Sequence, residues 1–236
     1  MQHWVVKQDE LKQMAAHRAV EAIESGMIVG LGTGSTTSFA VIRIAERIKS
    51  GDLKNIVGIP TSVRTEKLAR QLDIHLATLD EQPEIDVTID GADEVDPELN
   101  LIKGGGGALL REKVVAQASR TNIIIVDESK LSDCLGTHWA LPIEVIPFAA
   151  RTESSFLQSL GAAVSMRRDD EGQPYKTDQH NYILDANFGP MSDPAALANR
   201  LNERAGIIEH GLFLGLASEV IVAAEDGIRH LHRKDE

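Results

Sequence analysis

The sequence predicts an α/β fold: a mostly parallel sheet with helices on both faces, accompanied by a smaller α+β segment. Three observations carry this. Short β-branched runs alternate with amphipathic helical stretches through residues 9–126, the pattern of βαβ units. A glycine-rich turn, GLGTG at 30–34, stands between a strand and a helix. After Gly136 the order becomes strand, helix, strand, strand, helix, strand, that of a split βαβ fold.

The elements follow in order. Residues 9–24 predict a helix, with Leu11, Met14, Ala15, Arg18, Ala19, Ala22 and Ile23 at helical spacing. Asp9 reads as its N-cap and Ser25-Gly26 as its stop. A strand at 27–31 leads through the glycine turn into a helix at 37–49. Next come a strand at 56–59, a helix at 62–71 capped by Thr61, and a strand at 74–79. The run 85–90 holds β-branched Ile85, Val87, Thr88 and Ile89 and ends in Asp90. Sites in open α/β sheets form just past the carboxyl ends of strands, which is where Asp90 lies. In the helix that follows the four glycines at 104–107, Leu110, Val114 and Ala118 read as the apolar stripe. Glu112 lies off that stripe and reads, on spacing alone, as solvated. Residues 122–126 form a strand. Beyond Gly136 the expected elements are a proline-bounded strand at 141–147, a helix at 152–160 and strands at 163–167 and 182–186 around a polar turn at 169–173. A helix at 194–205 follows, capped by Ser192 or Asp193. Residues 212–224 return to the first sheet, and the tail HLHRKDE reads as frayed or solvated.

Composition bounds the function. The chain has 236 residues, room for one large or two small domains, and 42% hydrophobic residues, enough for a core. A net charge of −12 disfavours nucleic-acid binding but leaves room for a small anion in an amide-lined pocket. The single cysteine, Cys134, excludes an intrachain disulfide and a Cys-x-x-Cys metal cluster. It reads as a small buried hydrophobe. No segment has signal-peptide or membrane-span character, which points to the cytoplasm. His230 and His232 are two apart, and the other six histidines are scattered. None shows metal spacing.

Two stretches carry chemistry. The turn at 30–37 offers backbone N–H groups at the positive end of a helix, with the hydroxyls of Thr33, Ser35, Thr36 and Thr37. Ser35 stands where a dinucleotide fingerprint needs glycine, and no Gly-Lys-Ser/Thr makes it a Walker loop. Anion binding and a purely steric role both remain open on this pattern. In 85–112, turns bring together the carboxylates of Asp90, Asp93 and Glu112 and the ammonium of Lys103.

GLGTGSTT at 30–37, IDGADE at 89–94 and IKGGGGALLREK at 102–113 together resemble the type A ribose-5-phosphate isomerase family, and VDESK at 126–130 and LPIEVIP at 141–147 are similar to it as well. The resemblance covers about residues 9–227. It implies a Rossmann-like catalytic domain, residues 1–135 plus 209–236, with an inserted α/β lid at 136–208. It implies cofactor-free interconversion of D-ribose 5-phosphate and D-ribulose 5-phosphate through a cis-enediolate, in a homodimer or homotetramer without a metal. By motif, Glu112 matches the proton acceptor, and Asp90, Asp93 and Lys103 match catalytic residues that contact the sugar. Thr33, Gly34, Ser35, Thr36, Gly91, Ala92, Gly104, Gly105, Gly106 and Lys130 match substrate-binding positions, and Lys12 is a further candidate for the phosphate. One departure is Gly107, where the family pattern expects alanine. It implies added backbone freedom.

Two other readings compete. A sugar-phosphate sensor would keep the phosphate loop without turnover. An amino-sugar-phosphate deaminase or a coenzyme A transferase would use a related fold. Ketose formation from ribose 5-phosphate discriminates all of them.

Overall fold

The computed structural model describes residues 2–233, with side chains from Gln8 onward. In chain order the elements are α1 (Gln2–Val20), β1 (Ile28–Leu31), α2 (Ser35–Ser50), β2 (Val57–Pro60), α3 (Val63–Gln71), β3 (Ile85–Asp90), β4 (Glu94–Val95), β5 (Leu101–Ile102), α4 (Leu109–Gln117) and β6 (Ser119–Asp127). Then follow β7 (Leu141–Val145), α5 (Ala150–Ser159), β8 (Ala163–Met166), β9 (Tyr182–Asn187), α6 (Pro194–Asn202), β10 (Ile207–His210), β11 (Leu212–Phe213), β12 (Glu219–Ala224) and β13 (Gly227–His232). The chain divides into two compact units: Met1–Ala92, Arg111–Lys130 and Leu216–Glu236 in the first, Asp93–Leu110 and Leu131–Gly215 in the second.

The first unit holds a six-stranded sheet in the order β13-β12-β6-β3-β1-β2. Every pairing is parallel except β12 with β13. One face buries Val29, Leu31, Val87, Ile89, Ile123 and Ile125 against Ala15, Ala19 and Ile23 of the α1 region and Ala40, Val41 and Ile44 of α2. Removing a large apolar side chain from water contributes about 1.5–3 kcal/mol, so this layer dominates the unit's stability. On the other face Val115 of α4 packs with Ile59 and Ile85. Both faces are therefore covered, as a parallel sheet requires.

The second unit holds two small antiparallel sheets. The four-stranded one runs β10-β7-β9-β8, the three-stranded one β11-β5-β4. Leu141, Ile143, Val145, Leu157, Leu184, Ala186 and Leu201 fill its core. Glu94 on β4 is fully buried. Its carboxylate accepts hydrogen bonds from Ser132 Oγ (2.7 Å) and the N–H groups of Gly136 (2.9 Å), Thr137 (3.0 Å) and His138 (3.2 Å). It thereby organises the irregular segment that precedes β7.

The α/β architecture is as the sequence predicts, and several details differ. α1 begins at Gln2 rather than at Asp9, because residues 2–8 contain no glycine or proline to stop it. Asp9 then lies inside the helix and meets Lys12 at 3.3 Å. Ser62, not Thr61, caps α3, accepting from Thr65 N at 3.0 Å. The stretch 74–79 contributes only one bridge, Leu76 to Gly58, since the Glu81 carboxylate takes the N–H and hydroxyl of Thr78 and folds the chain into a turn. The run 212–224 is broken at Gly215 (φ 72°) into β11 and β12. Residues 227–232 of the tail region form β13, in full register with β12 from Glu219–His232 to Ala224–Gly227. Residues 234–236 lie outside the described residues.

Candidate active site

In the first unit the site is organised where β1 and β3 end side by side. Gly30 and Gly32 are glycines because these strands crowd them. A Cβ on Gly30 would lie 1.8 Å from Thr88 Oγ1, and one on Gly32 would lie 2.4 Å from Asp90 Oδ1 and 2.6 Å from Asp90 Cα. Asp90 is 3% exposed. Its Oδ1 accepts from the N–H of Thr33 (3.1 Å) and of Gly91 (2.8 Å), tying the β1 loop to the β3 loop. The Thr33 hydroxyl is committed to a cluster formed by Thr61 (2.7 Å), Ser62 (2.8 Å) and Thr65 (3.1 Å). Thr65 Oγ1 in turn meets Gly32 O at 3.0 Å. Thr33 therefore fixes the loop's shape with both of its donors. α2 starts at Ser35 with no side-chain cap, and its first-turn N–H groups lack intrahelical acceptors. Gly34, at φ 142°, lets the chain enter the helix directly, so Ser35 and Thr36 join α2 rather than precede it. Ser35 is exposed and Thr36 half-buried.

α4 reverses the expected stripe. Val114 is 43% exposed, whereas Leu109, Glu112, Lys113 and Ala116 are buried, with Glu112 at 5% and Lys113 at 6%. These four positions are the i, i+3, i+4, i+7 face of the helix, and two of them are charged. An apolar-only pattern search selects Leu110 and Val114 and passes over a helix whose inward face carries a carboxylate. Burying that group has a cost that fold stability alone does not call for. The end of α4 is held by Asn122 on β6, whose Nδ2 donates to Ala116 O (2.8 Å) and Leu216 O (3.1 Å).

Lys130 ends the 3₁₀ turn Glu128–Lys130 that follows β6. The turn is set by buried Asp127, whose Oδ1 accepts from Ser129 N (3.0 Å) and from its hydroxyl.

The second unit holds Asp93, Lys103 and the glycine run. Asp93 Oδ2 accepts from Gly105 N at 2.7 Å, and Asp93 N donates to Ile102 O at 2.8 Å. Lys103 is 3% exposed; its N–H donates to Gly211 O at 2.9 Å and its Nζ lies 5.5 Å from the centre of the Phe213 ring. Gly104 (φ 104°) and Gly107 (φ 80°) adopt left-handed conformations. Gly107 also lies against Tyr175, where a Cβ would come 2.4 Å from the phenol oxygen. Its lack of a side chain makes room for that ring rather than adding freedom. Burial raises the Tyr175 phenol above its ordinary value.

Three ligating side chains do converge elsewhere. Glu219, His230 and His232 place one donor atom each within 4.8 Å of one another. Strand pairing creates this, because His232 faces Glu219 across the β12–β13 register. The set does not fit a resident metal. Arg18 Nε donates to His230 Nε2 at 3.0 Å, which leaves the ring proton on Nδ1, the atom hydrogen-bonded to Glu219. The guanidinium also brings a positive charge to the position.

No helix is long and apolar enough to cross a membrane among the described residues. Cys134 is half-buried, with its thiol 2.9 Å from Met191 O.

The sequence pattern of the family described as ribose 5-phosphate isomerase A (phosphoriboisomerase A) matches residues 57–227. Ribose-5-phosphate isomerase A of Desulfatibacillum aliphaticivorans is 62% identical over 227 residues, covering 96% of this chain and 99% of the relative. The protein of the same name from Chloroflexus aurantiacus is 57% identical, covering 95% and 94%. Among solved structures, a D-ribose-5-phosphate isomerase in complex with phospho-erythronic acid superposes with a TM-score of 0.93 at 43% identity, covering 95% of this chain and 98% of that one.

Proposed function

The chain belongs to the ribose 5-phosphate isomerase A family, and from that premise we propose how its own residues divide the reaction. The activity is the interconversion of D-ribose 5-phosphate and D-ribulose 5-phosphate in the pentose phosphate pathway. In the aldose-to-ketose direction Glu112 removes the proton from C2, and the electron pair forms the C1=C2 bond of a cis-enediolate. O1 gains a proton and O2 loses one. Glu112 then returns its proton to C1, leaving CH₂OH at C1 and a ketone at C2. A single carboxylate suffices because both carbons present the same face.

Lys103 supplies the cation that stabilises the developing oxyanion. Asp90 serves ring opening and the O1/O2 proton transfers, and Asp93 orients the hydroxyls. The phosphate is held by the first-turn amides of α2, through Gly34, Ser35 and Thr36, with Thr33 as the residue that fixes the loop. Lys130 and the backbone of Gly91, Ala92 and Gly104–Gly106 complete substrate contact. The lid role of residues 136–208, a homodimer or homotetramer and a cytoplasmic location complete the reading. The related structure holds phospho-erythronic acid, a phosphorylated sugar acid, which supports a sugar-phosphate substrate.

The observation that carries the proposal is a carboxylate, Glu112, on the buried face of α4 at 5% exposure. Glu112→Gln keeps the shape and removes the basic lone pair. The expected loss is about 10⁴-fold in kcat, at the upper end for a general base, with KM nearly unchanged. In D₂O the unmodified enzyme incorporates deuterium at the transferred carbon, and the variant loses exchange and isomerisation together. Wild-type exchange in Glu112→Gln, or its abolition by Asp90→Asn alone, would move the base elsewhere.

A further inference from the structure

The glycine run is held from behind by a residue that no motif contains. Arg167, 15% exposed, follows β8. Its Nη1 donates to two successive carbonyls, Gly104 O at 2.8 Å and Gly105 O at 3.1 Å. Its other edge is bidentate on Asp185 of β9, Nε to Oδ2 at 3.0 Å and Nη2 to Oδ1. The Arg167 backbone is pinned on both sides, by Ile183 O and by Tyr175 N at 2.9 Å each. With one edge neutralised by Asp185 and Nη1 given to carbonyls, this guanidinium is not an anion receptor. It is a clamp.

The consequence follows from peptide geometry. In a trans peptide the C=O and the next N–H point in opposite directions, and no cis peptide is present among the described residues. Two carbonyls that converge on Nη1 therefore send the N–H groups of Gly105 and Gly106 away from it. The first of these reaches Asp93 Oδ2 at 2.7 Å. The second is directed to that same side. The first plane has a second hold, since Gly107 N donates to Gly104 O at 3.0 Å. Without the clamp it is the Gly105–Gly106 plane, flanked by two glycines, that gains freedom to rotate and loosens the contact to Asp93 beside it.

We propose that Arg167, held by Asp185, is a positioning residue for the isomerisation: it fixes the two peptide planes so that Asp93 is oriented toward the sugar hydroxyls and the Gly106 N–H is presented as a donor to the enediolate oxyanion. This rests on the isomerase reading and adds to it a residue outside the family motifs quoted above. The clamp acts on geometry in the reacting state and not on the grip of the phosphate, so its signature is a kcat effect.

The test is steady-state kinetics on the full chain with ribose 5-phosphate, for Arg167→Gln, Arg167→Lys and Asp185→Asn, each checked by circular dichroism and melting temperature. Loss of positioning at this scale costs about 10- to 100-fold; Arg167→Gln is expected to lose that much in kcat while KM stays within about threefold. Arg167→Lys recovers part of the loss because one amine still reaches a carbonyl. Asp93→Asn and Arg167→Gln combined cost less than the product of their separate effects, since both act through one contact. A folded Arg167→Gln whose kcat is within about twofold of wild type overturns the proposal, as does a rise in KM alone. If Arg167→Gln does not fold, Asp185→Asn is judged by the same criteria. Absence of isomerisation in the unmodified enzyme overturns the function and this role with it, whereas full activity in both variants removes only the role.

Discussion

Two glycine-rich loops, one in each unit, are held in different ways. In the loop at 30–37 Gly30 and Gly32 have no room for a Cβ beside Thr88 and Asp90, and Gly34 sits at φ 142°. Side-chain hydroxyls and one carboxylate then lock the backbone. In the loop at 103–107 Gly104 and Gly107 sit at positive φ, Gly105 and Gly107 are crowded by Asp93 and Tyr175, and a guanidinium holds the carbonyls from outside. In the proposed function the first construction is the phosphate cradle, with the first-turn amides of α2 as donors, and the second orients Lys103, Asp93 and peptide N–H groups toward the sugar. The difference teaches that glycine in a motif has no single meaning; in the proposed function the first loop serves binding and the second serves rate.

The largest expected effect tests the second loop. Lys103→Met keeps the aliphatic stem against Phe213 and removes the charge. Loss of one oxyanion-stabilising donor costs about 10²–10³-fold in kcat, with KM changed little. A rise in KM without loss of kcat would place Lys103 with the binding loop and break the comparison. Next, Gly32→Ala forces a Cβ to within 2.4 Å of Asp90 Oδ1 and 2.6 Å of its Cα. The Cα cannot turn aside as a side chain can, so overpacking destabilises by about 1–3 kcal/mol. The displaced Asp90 should also lower kcat/KM. Unchanged melting and kinetics would show that the strand ends yield freely.

Thr36→Val probes the cradle alone. Loss of a hydroxyl donor to a charged phosphate costs about 1.5 kcal/mol, roughly tenfold, and should be read in KM. A selective fall in kcat instead would merge the two loops' roles.

The smallest effect lies outside both loops. Glu144 on β7 is fully buried. Its Oε1 accepts from Thr177 Oγ1 (2.8 Å) and Asn181 Nδ2 (2.9 Å), and its Oε2 has no hydrogen-bond partner. Burial, reinforced by Glu209 and Asp178, holds its pKa above the ordinary glutamate value of 4.5. A raised folded-state pKa means the native state binds the proton more tightly than the unfolded chain. Its contribution is full below the ordinary value and is lost as pH rises through the folded-state value. Glu144→Gln removes the titration. The melting-temperature difference, wild type minus variant, should fall as the pH is raised above the ordinary glutamate value of 4.5. A difference that is flat with pH would mean the carboxyl is ionised throughout.

The alternation of strands and helices was legible because β-branched runs and helical periodicity are local properties, and the order of elements in the second unit was legible for the same reason. What escaped depended on tertiary context. The α4 stripe was misassigned because Glu112 and Lys113 occupy an inward face, and a hydrophobic pattern search takes charge as a sign of solvent. Thr61, Ser62 and Thr65 hold Thr33 through hydroxyl contacts that no spacing announces. β13 was missed because Arg229, His230 and His232 give a polar strand whose partner, β12, supplies the apolar character. The Arg167–Asp185 clamp did leave a signal: opposite charges on the predicted strands at 163–167 and 182–186. Register was needed to read it, and the observed pairing sets Ser165 opposite Asp185, with Arg167 two residues on and so on the same face.

β13 also closes one edge of the parallel sheet. Without it the rim of the parallel sheet would be β12, whose Val220, Ile221, Val222 and Ala223 are all buried and whose outer amides and carbonyls would stand open as a template for a neighbouring chain. The hairpin through Glu225 and Asp226 replaces that rim with a strand bearing Arg229, His230 and His232, charged or ionisable groups that discourage further strand addition. Deleting residues 227–232 should therefore leave the individual helices in place yet yield a protein that precipitates or forms strand-linked polymers. The last strand thus guards the sheet edge against open-ended strand addition as much as it serves as a sixth member of the sheet.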